Sequence, residues 1–253
     1  MGLYLGKDKI SALRTIEKTT ASMKAYLEAG GKCKSNDAVS FEGCWQASDW
    51  ENMTDCSYMF YDCKKLTTIP AMNTGNVTNM ERMFSGCNKL TSVQEINTSN
   101  ATNMYRMFYY CNSLKSIPML DTSNVTNMNY MFGDCWLLKS IPMLDTSNVT
   151  NMNNMFENCN KITSIPALNT SNVTDMGNMF GGCYYLESIH MHGMKVSFSI
   201  SASTRFTRDA LVEILNNLAT VTTSSTLTMG STNLAKLTDA DKAIATGKGW
   251  KLA

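Results

Sequence analysis

The chain has 253 residues, a formal net charge of +1 and only 17% charged residues. A nucleic-acid-binding surface needs a basic excess, so this balance argues against a nucleic-acid partner. No run of about 18 apolar residues is present, and we therefore expect no insertion into a membrane. The 20 methionines, with abundant asparagine and threonine, instead indicate internal repetition.

Residues 1–48 precede the repeats and are predicted to form an N-terminal attachment and capping region. Residues 3–14 are expected to form a β-hairpin, and residues 11–29 have the apolar spacing of a helix. Within them, residues 20–27 resemble a degenerate first coil. The first residues lack the apolar stretch of a secretory signal peptide, so either an export signal is absent from this sequence or the protein leaves the cell by another route.

A 24-residue unit then recurs six times over residues 49–192. Each unit has a Met-Phe pair, a cysteine three residues after the phenylalanine, then Leu or Ile and, three residues later, Ile or Val. We expect the phenylalanines and cysteines to form a structural core ladder; they are Phe60, Phe84, Phe108, Phe132, Phe156 and Phe180, and Cys63, Cys87, Cys111, Cys135, Cys159 and Cys183.

Each unit is predicted to contain a short helix and a short extended segment, joined by two turns. Residues 128–135 carry apolar side chains at i, i+3, i+4 and i+7, the spacing of one helix face. Residues 138–141 are expected to be extended and to end at Pro142, and residues 145–148 have turn chemistry. One unit cannot bury its apolar face alone, so the units are expected to stack.

The pattern Leu-x-x-Ile-Pro-x-Leu-Asp-Thr-Ser-Asn-Val-Thr-Asn-Met-x-x-Met-Phe-x-x-Cys resembles the BspA-like leucine-rich repeat of surface proteins. This resemblance covers residues 49–192 and implies an α/β repeat solenoid, a leucine-rich-repeat-type stack of 24-residue coils with short parallel strands and short helices, capped at both ends. The family occurs in bacterial and protist surface proteins and in many phage and prophage tail genes. It implies adhesion or host recognition, and it brings no catalytic residues.

Residues 193–253 are predicted to form a C-terminal α/β cap. Thr207 is a suitable N-cap for the first helix, and Thr238 begins the second. The stretch also resembles caps that follow such repeats in phage-associated proteins. The predicted elements are a helix over 207–218, a strand over 226–229, a helix from 238 and a strand over 250–252.

The cysteines allow two interpretations. Stacked neighbours would lie about 5 Å apart, which a disulfide permits. However, one thiol per coil offers no Cys-x-x-Cys pair for zinc, and we favour a buried column of apolar thiols with no metal and no cofactor. A disulfide involving Cys33, Cys44 or Cys56, which lie off the ladder, stays open.

Other candidate metal ligands have simpler explanations. The methionine spacing favours a core over a soft-metal surface, and His190 and His192 have no third ligand nearby in sequence. Asp121 and Asp145 suit turn corners without calcium, because asparagine occupies the equivalent positions of other repeats. No nucleophile-base pair, carboxylate pair or phosphate-binding glycine loop is evident, so no catalytic residue is predicted.

The positions that vary between repeats flank the Met-Phe pair and follow the cysteine. They are rich in Tyr, Asn, Gly, Arg and Ser, the composition of binding loops, and exposed Tyr and Trp are common binding anchors. The alternative is a solvated surface without a ligand. We predict a ligand-binding face at the densest aromatic group, which comprises Tyr105, Arg106, Tyr109, Tyr110, Tyr130 and Trp136.

Together these features predict a non-enzymatic recognition protein. The leading interpretation is a receptor-binding component of a phage or prophage tail, since such proteins assemble in the cytoplasm with reduced cysteines. It would bind a host cell-surface protein or glycan, and would join a tail or fibre protein through residues 1–48, as a homotrimer by analogy. The alternative is a bacterial cell-surface adhesin whose export signal is absent from this sequence; an enzyme is the third and least favoured.

Overall fold

The computed structural model describes residues 53–69 and 72–253. The hairpin, helix and degenerate coil predicted within residues 1–48 lie outside these residues, as do Cys33 and Cys44. In the described part, consecutive 24-residue repeats lie side by side, and each is hydrogen-bonded to the next. None of the helices found there is long and apolar enough to cross a membrane.

The segment around the Met-Phe pair, here called the Met-Phe limb (residues 104–111 in the third repeat), is a succession of turns. Its N–H groups alternate between two kinds of partner. Met107 N donates to the carbonyl oxygen of Met104, three residues back, at 3.1 Å. Phe108 N donates instead to the carbonyl oxygen of Met131 in the next repeat, at 2.9 Å.

The short helix predicted for this limb is therefore wrong. Interior N–H groups of an α-helix bond to carbonyls four residues back, whereas every second N–H here joins the limb to the following repeat. Two residues per limb have left-handed backbone, such as Arg106 with φ 54° and Tyr110 with φ 60°. These turns place the apolar side chains inward with the same spacing that a helix face would have.

The Asn- and Thr-rich corners are a second set of links between repeats. Thr126 donates from both its N–H and its Oγ1 to the carbonyl oxygen of Thr102, at 3.0 and 3.3 Å. Asn124 Nδ2 donates to Ser99 O at 2.8 Å, one repeat earlier. The corner composition is thus explained by side chains that satisfy backbone carbonyls of the neighbouring repeat.

The phenylalanines form one continuous stack inside the array. Rings of consecutive repeats lie 5.4 to 6.0 Å apart between centroids and within 9° of parallel. The ladder cysteines are buried free thiols beside this stack. From the second repeat on, each Sγ donates to the phenylalanine carbonyl of the preceding repeat, as Cys135 does to Phe108 at 3.1 Å.

The predicted extended segment after each cysteine pairs as strands only in the last two repeats of the described residues. There β1 (Ser164–Ile165) runs parallel to β2 (Ser188–Ile189). In earlier repeats the equivalent isoleucines, such as Ile117 and Ile141, are buried without strand pairing. The backbone pairing that links the repeats is therefore concentrated in the Met-Phe limbs and the corners.

The C-terminal region continues the array with regular elements. The elements are β3 (Phe198–Ser199), α1 (Arg208–Asn217), β4 (Thr226–Thr228), α2 (Ser231–Leu234), α3 (Asp239–Gly247) and β5 (Lys251–Leu252). The three strands form a parallel sheet in the order β3-β4-β5, and Thr207 and Thr238 are the N-caps of α1 and α3. Helix α2 and strand β3 were not predicted.

This region packs directly on the last repeat. Ser203 Oγ donates to Tyr184 O at 3.2 Å, and Arg205 Nη1 donates to Glu187 Oε1 at 3.3 Å. Ser203 Oγ donates to Leu186 O at 2.7 Å. Residues 193–253 therefore cover the end of the apolar stack, where the last repeat would otherwise expose its core.

Candidate recognition face

The variable positions lie on the two left-handed backbone positions of each Met-Phe limb and beside them. A left-handed backbone costs most residues about 1–2 kcal/mol, and glycine and asparagine tolerate it best. The first position has φ between 51° and 59° in every described repeat. Its occupants are Tyr58, Arg82, Arg106 and Tyr130 in the first four repeats, and Asn154 and Asn178 in the last two.

At the second left-handed position, a bulky residue replaces Asp, Asn or Gly in one repeat. Its occupants are Asp, Gly, Tyr, Asp, Asn and Gly in chain order, and the tyrosine is Tyr110. Bulky residues at such positions are unusual and must be held by their surroundings. Around the third repeat, tyrosine and arginine therefore occupy positions where Asn or Gly would adopt the left-handed backbone at a lower free-energy cost.

Arg106 lies at the centre of a tyrosine cluster. Its guanidinium carbon is 4.5 Å from the ring centroid of Tyr130, 4.8 Å from that of Tyr109 and 5.1 Å from that of Tyr105. These are cation–π distances, each worth about 0.5–1 kcal/mol at exposed sites. Its Nε is buried without a hydrogen-bond partner, so aromatic contacts rather than hydrogen bonds surround that part of the guanidinium.

The tyrosine rings also contact one another. Tyr109 packs edge-on against Tyr110, with centroids 4.5 Å apart, and against Tyr130 at 5.3 Å. Gly133 provides the room, because a Cβ there would lie 3.0 Å from both the Tyr109 and the Tyr130 ring. Burial, together with the nearby Asp134 and Tyr110, raises the pKa of Tyr109 above its ordinary value.

A second arginine extends the cluster toward the first repeat. The guanidinium carbon of Arg82 lies 5.3 Å from the ring centroid of Tyr58 and 5.5 Å from that of Tyr105. Tyr105 thus lies between Arg82 and Arg106. The sequence prediction included only Arg106, although the repeat places Arg82 at the equivalent position.

The two arginines line one open groove of about 300 Å³. Tyr61, at 38% exposure, and Tyr110, at 43%, contribute aromatic surface to it. Asp62 and Lys64 also line the groove and form an ion pair at 3.3 Å. The predicted face therefore continues into the first two repeats, where Tyr58, Tyr61 and Arg82 were missed by the sequence prediction.

Trp136 occupies a different position from the other predicted residues. Its side chain is 45% exposed, and its Nε1 donates to Asp134 Oδ1 at 3.4 Å. Among the described residues it makes no ring contact with the tyrosines. The structure thus brings together Tyr105, Arg106, Tyr109, Tyr110 and Tyr130, and leaves Trp136 outside their ring contacts.

The chain matches the family model described as "Mycoplasma protein of unknown function, DUF285" over residues 33–140 and 136–208. This protein belongs to the DUF285 family. Among solved structures, it is similar to the leucine-rich repeat protein of T. pallidum (TpLRR), with 15% sequence identity, a TM-score of 0.43 and coverage of 85% of this chain and 86% of that one. No curated protein matches the chain.

Several chemistry-bearing side chains outside the face of this DUF285 protein are buried or paired. Burial raises the pKa of the Cys56 thiol to about 12, helped by Asp55, and burial raises that of Cys183 to about 12. His190 Nδ1 lies 2.7 Å from Glu213 Oε1 and joins the last repeat to helix α1. Within residues 53–69 and 72–253, no three His, Cys, Asp or Glu side chains converge to hold a metal ion.

Proposed function

We propose that this DUF285 protein is a non-enzymatic recognition protein, built as a leucine-rich-repeat-type solenoid, that attaches to a cell surface through its tyrosine–arginine face. This face comprises Tyr58, Tyr61, Arg82, Tyr105, Arg106, Tyr109, Tyr110 and Tyr130. The observation that carries the proposal is the placement of Tyr58, Arg82, Arg106, Tyr110 and Tyr130 on left-handed backbone positions. The fold does not require bulky residues at those positions, since other repeats use Asn and Gly there. A ligand that needs them explains why they are present.

The composition of the face supports the same conclusion. Tyrosine and arginine are the residues most enriched among energetically dominant contacts at binding surfaces. Tyrosine offers large contact area with few rotatable bonds, and the cation–π contacts hold the arginines in place before a ligand arrives. Such a preorganised surface loses little side-chain entropy on binding.

Two settings are proposed for this activity. The first is a phage or prophage tail, where residues 1–48 would join a tail or fibre protein, in a homotrimer, and the face would bind a host surface protein or glycan. The second is the surface of a bacterial cell, where the protein would act as an adhesin. The genes that neighbour this one separate the two settings, because tail proteins are encoded beside other tail components.

The test is binding of the fluorescently labelled protein to a panel of bacterial and host cells. The variant Tyr109→Ala/Tyr110→Gly/Trp136→Ala should lose binding to the cells that the wild type recognises. The control is Met119→Ala/Met143→Ala, which removes exposed apolar side chains, at 70% and 63% exposure, outside the face. Equal binding by the wild type and the triple variant would contradict the proposal.

A further inference from the structure

We propose that the groove between Arg82 and Arg106 binds an acidic saccharide, with a carboxylate or sulfate group held by the two guanidiniums. This inference rests on the proposed function and names the chemical class of its ligand. It is drawn from the charges, the backbone hydrogen bonding and the lining of the groove.

The two arginines of the groove form no ion pair among the described residues. Of the four arginines in the described residues, Arg205 pairs with Glu187 at 3.3 Å and Arg208 pairs with Asp241 at 2.6 Å. Arg82 and Arg106 have no carboxylate within 4 Å among those residues. Tyrosine rings hold both guanidiniums but do not neutralise them.

The nearby carboxylates have other partners: Asp134 is buried and accepts from Trp136 and Asn158, and Glu81 accepts from the Tyr58 hydroxyl. Lys64 and Asp62 compensate each other in their ion pair. Glu157 lies close enough for the Arg106 charge to act on it, but burial and Asp134 raise the Glu157 pKa overall, which is the opposite of what a tight ion pair with Arg106 would produce. The groove thus offers two adjacent cations, one repeat apart, to an anionic group. Guanidiniums bind carboxylates and sulfates through paired N–H donors.

The backbone beside the groove is not free to pair with an extended peptide, so a peptide is not the favoured ligand. A peptide that adds to a sheet edge needs free backbone N–H and C=O groups. Along the groove, Arg82 N donates to Tyr105 O at 2.8 Å and Gly86 N donates to Tyr109 O at 2.8 Å. Neighbouring repeats therefore already use the backbone groups of these limbs, and recognition depends on side chains.

Aromatic and polar side chains line the groove beside the two arginines. The groove combines the half-exposed rings of Tyr61 and Tyr110 with the exposed polar side chains of Asp62 and Lys64. A sugar ring has an apolar C–H face, which packs on an aromatic ring, and an edge of hydroxyls, which needs hydrogen-bond partners. At about 300 Å³ the groove has the size of a small ligand site, but its lining is more polar than the apolar lining of most such sites.

Isothermal titration calorimetry of the full chain tests the inference with four probes: a sulfated heparin tetrasaccharide, trigalacturonic acid, neutral maltotriose and a hexaglutamate peptide. At least one acidic saccharide should bind at least tenfold more tightly than maltotriose and hexaglutamate. The two acidic probes distinguish sulfate from carboxylate recognition. Binding should weaken in high salt, because the guanidinium–anion contact is screened.

Arg82→Asn and Arg106→Asn should each lower the affinity for the acidic saccharide at least tenfold, since asparagine keeps the left-handed backbone but removes the cation. Arg205→Gln, which removes an exposed arginine away from the groove, should leave the affinity unchanged. Hexaglutamate or maltotriose binding as tightly as the acidic saccharides would overturn the assignment of the ligand as an acidic saccharide.

The outcome is distinguishable from failure of the proposed function. If cells bind through the face but neither acidic saccharide binds, the ligand class is wrong and the recognition role stands. If the variant Tyr109→Ala/Tyr110→Gly/Trp136→Ala binds cells as the wild type does, the recognition role itself is wrong.

Discussion

The Sγ of Cys135 donates to the carbonyl oxygen of Phe108, one repeat earlier, at 3.1 Å. The thiol is buried, and burial raises its pKa well above the usual range, with smaller contributions from Cys111 and Cys159. Because only the thiolate reacts with alkylating reagents, we expect Cys135 and Cys183 to resist iodoacetamide at pH 8 in the folded protein and to react in urea. Peptide mass mapping measures this, and native labelling of either residue would contradict the buried ladder.

The stacked phenylalanines predict a large loss of stability on truncation. Phe132 is fully buried between Phe108 and Phe156, so Phe132→Ala should lower the free energy of unfolding by about 3–5 kcal/mol. Trp136→Ala, four residues on and exposed, should change it by about 0.5 kcal/mol or less. Urea denaturation of both variants measures the difference, and similar losses would show that the stack does not carry the core.

The missing side chain at Gly133 leaves room for two tyrosine rings of the recognition face. The φ of Gly133 is not left-handed, so alanine is tolerated by the backbone, but the new Cβ would lie 3.0 Å from the Tyr109 and Tyr130 rings. We expect Gly133→Ala to displace these rings, weaken cell binding and cost about 1–3 kcal/mol of stability.

The matched control is Gly247→Ala in helix α3, where no atom lies within 4 Å of the added Cβ. This substitution should leave binding unchanged and stabilise the fold by up to about 1 kcal/mol. Undiminished cell binding by Gly133→Ala would show that the packing of the two rings does not matter for recognition.

Asp241 predicts an acid-sensitive contact in the C-terminal region. Two hydrogen bonds from Arg208, at 2.6 and 2.8 Å, and that from Thr238 N lower the Asp241 pKa to about 2. A folded-state pKa below the unfolded value of about 3.9 contributes stability that is fully present above that value. It is lost as the pH falls from about 4 to about 2.

Chemical denaturation of the wild type and of Asp241→Asn at several pH values measures this contribution. The wild type should be the more stable of the two at pH 7, and the gap should shrink as the pH falls toward 2. A gap that stays constant over this range would mean that the Arg208–Asp241 contact does not depend on ionisation.

The sequence predicted the repeat and its inward-facing residues because a fixed period of 24 makes each core position recur. It did not predict the form of the Met-Phe limb. Apolar residues at i, i+3, i+4 and i+7 fit a helix face, but a series of turns presents the same residues inward, and the choice depends on hydrogen bonds to another repeat. One signal was available: Gly86, Asn154, Asn178 and Gly182 occupy positions where left-handed backbone recurs.

The candidate face was predicted in part for a similar reason. Tyr105, Arg106, Tyr109, Tyr110 and Tyr130 stand close together in the sequence period, so stacking brings them together. Arg82 and Tyr58 were missed because the prediction rested on aromatic density in adjacent repeats, whereas the two residues are revealed by their equivalence to Arg106 and Tyr130 in the 24-residue period. The exposed position of Trp136 depends on the direction of its side chain, which periodicity does not determine.

In the proposed function, Arg106 and Tyr110 serve a ligand and not the fold. The double variant Arg106→Asn/Tyr110→Gly, measured for both cell binding and urea stability, separates these two roles. Both substitutions install residues that suit the left-handed backbone, which offsets the lost ring contacts. Binding should fall at least tenfold while the free energy of unfolding stays within about 1 kcal/mol of the wild type. Unchanged binding, or a loss of binding that comes with unfolding, would contradict the role proposed for these two residues.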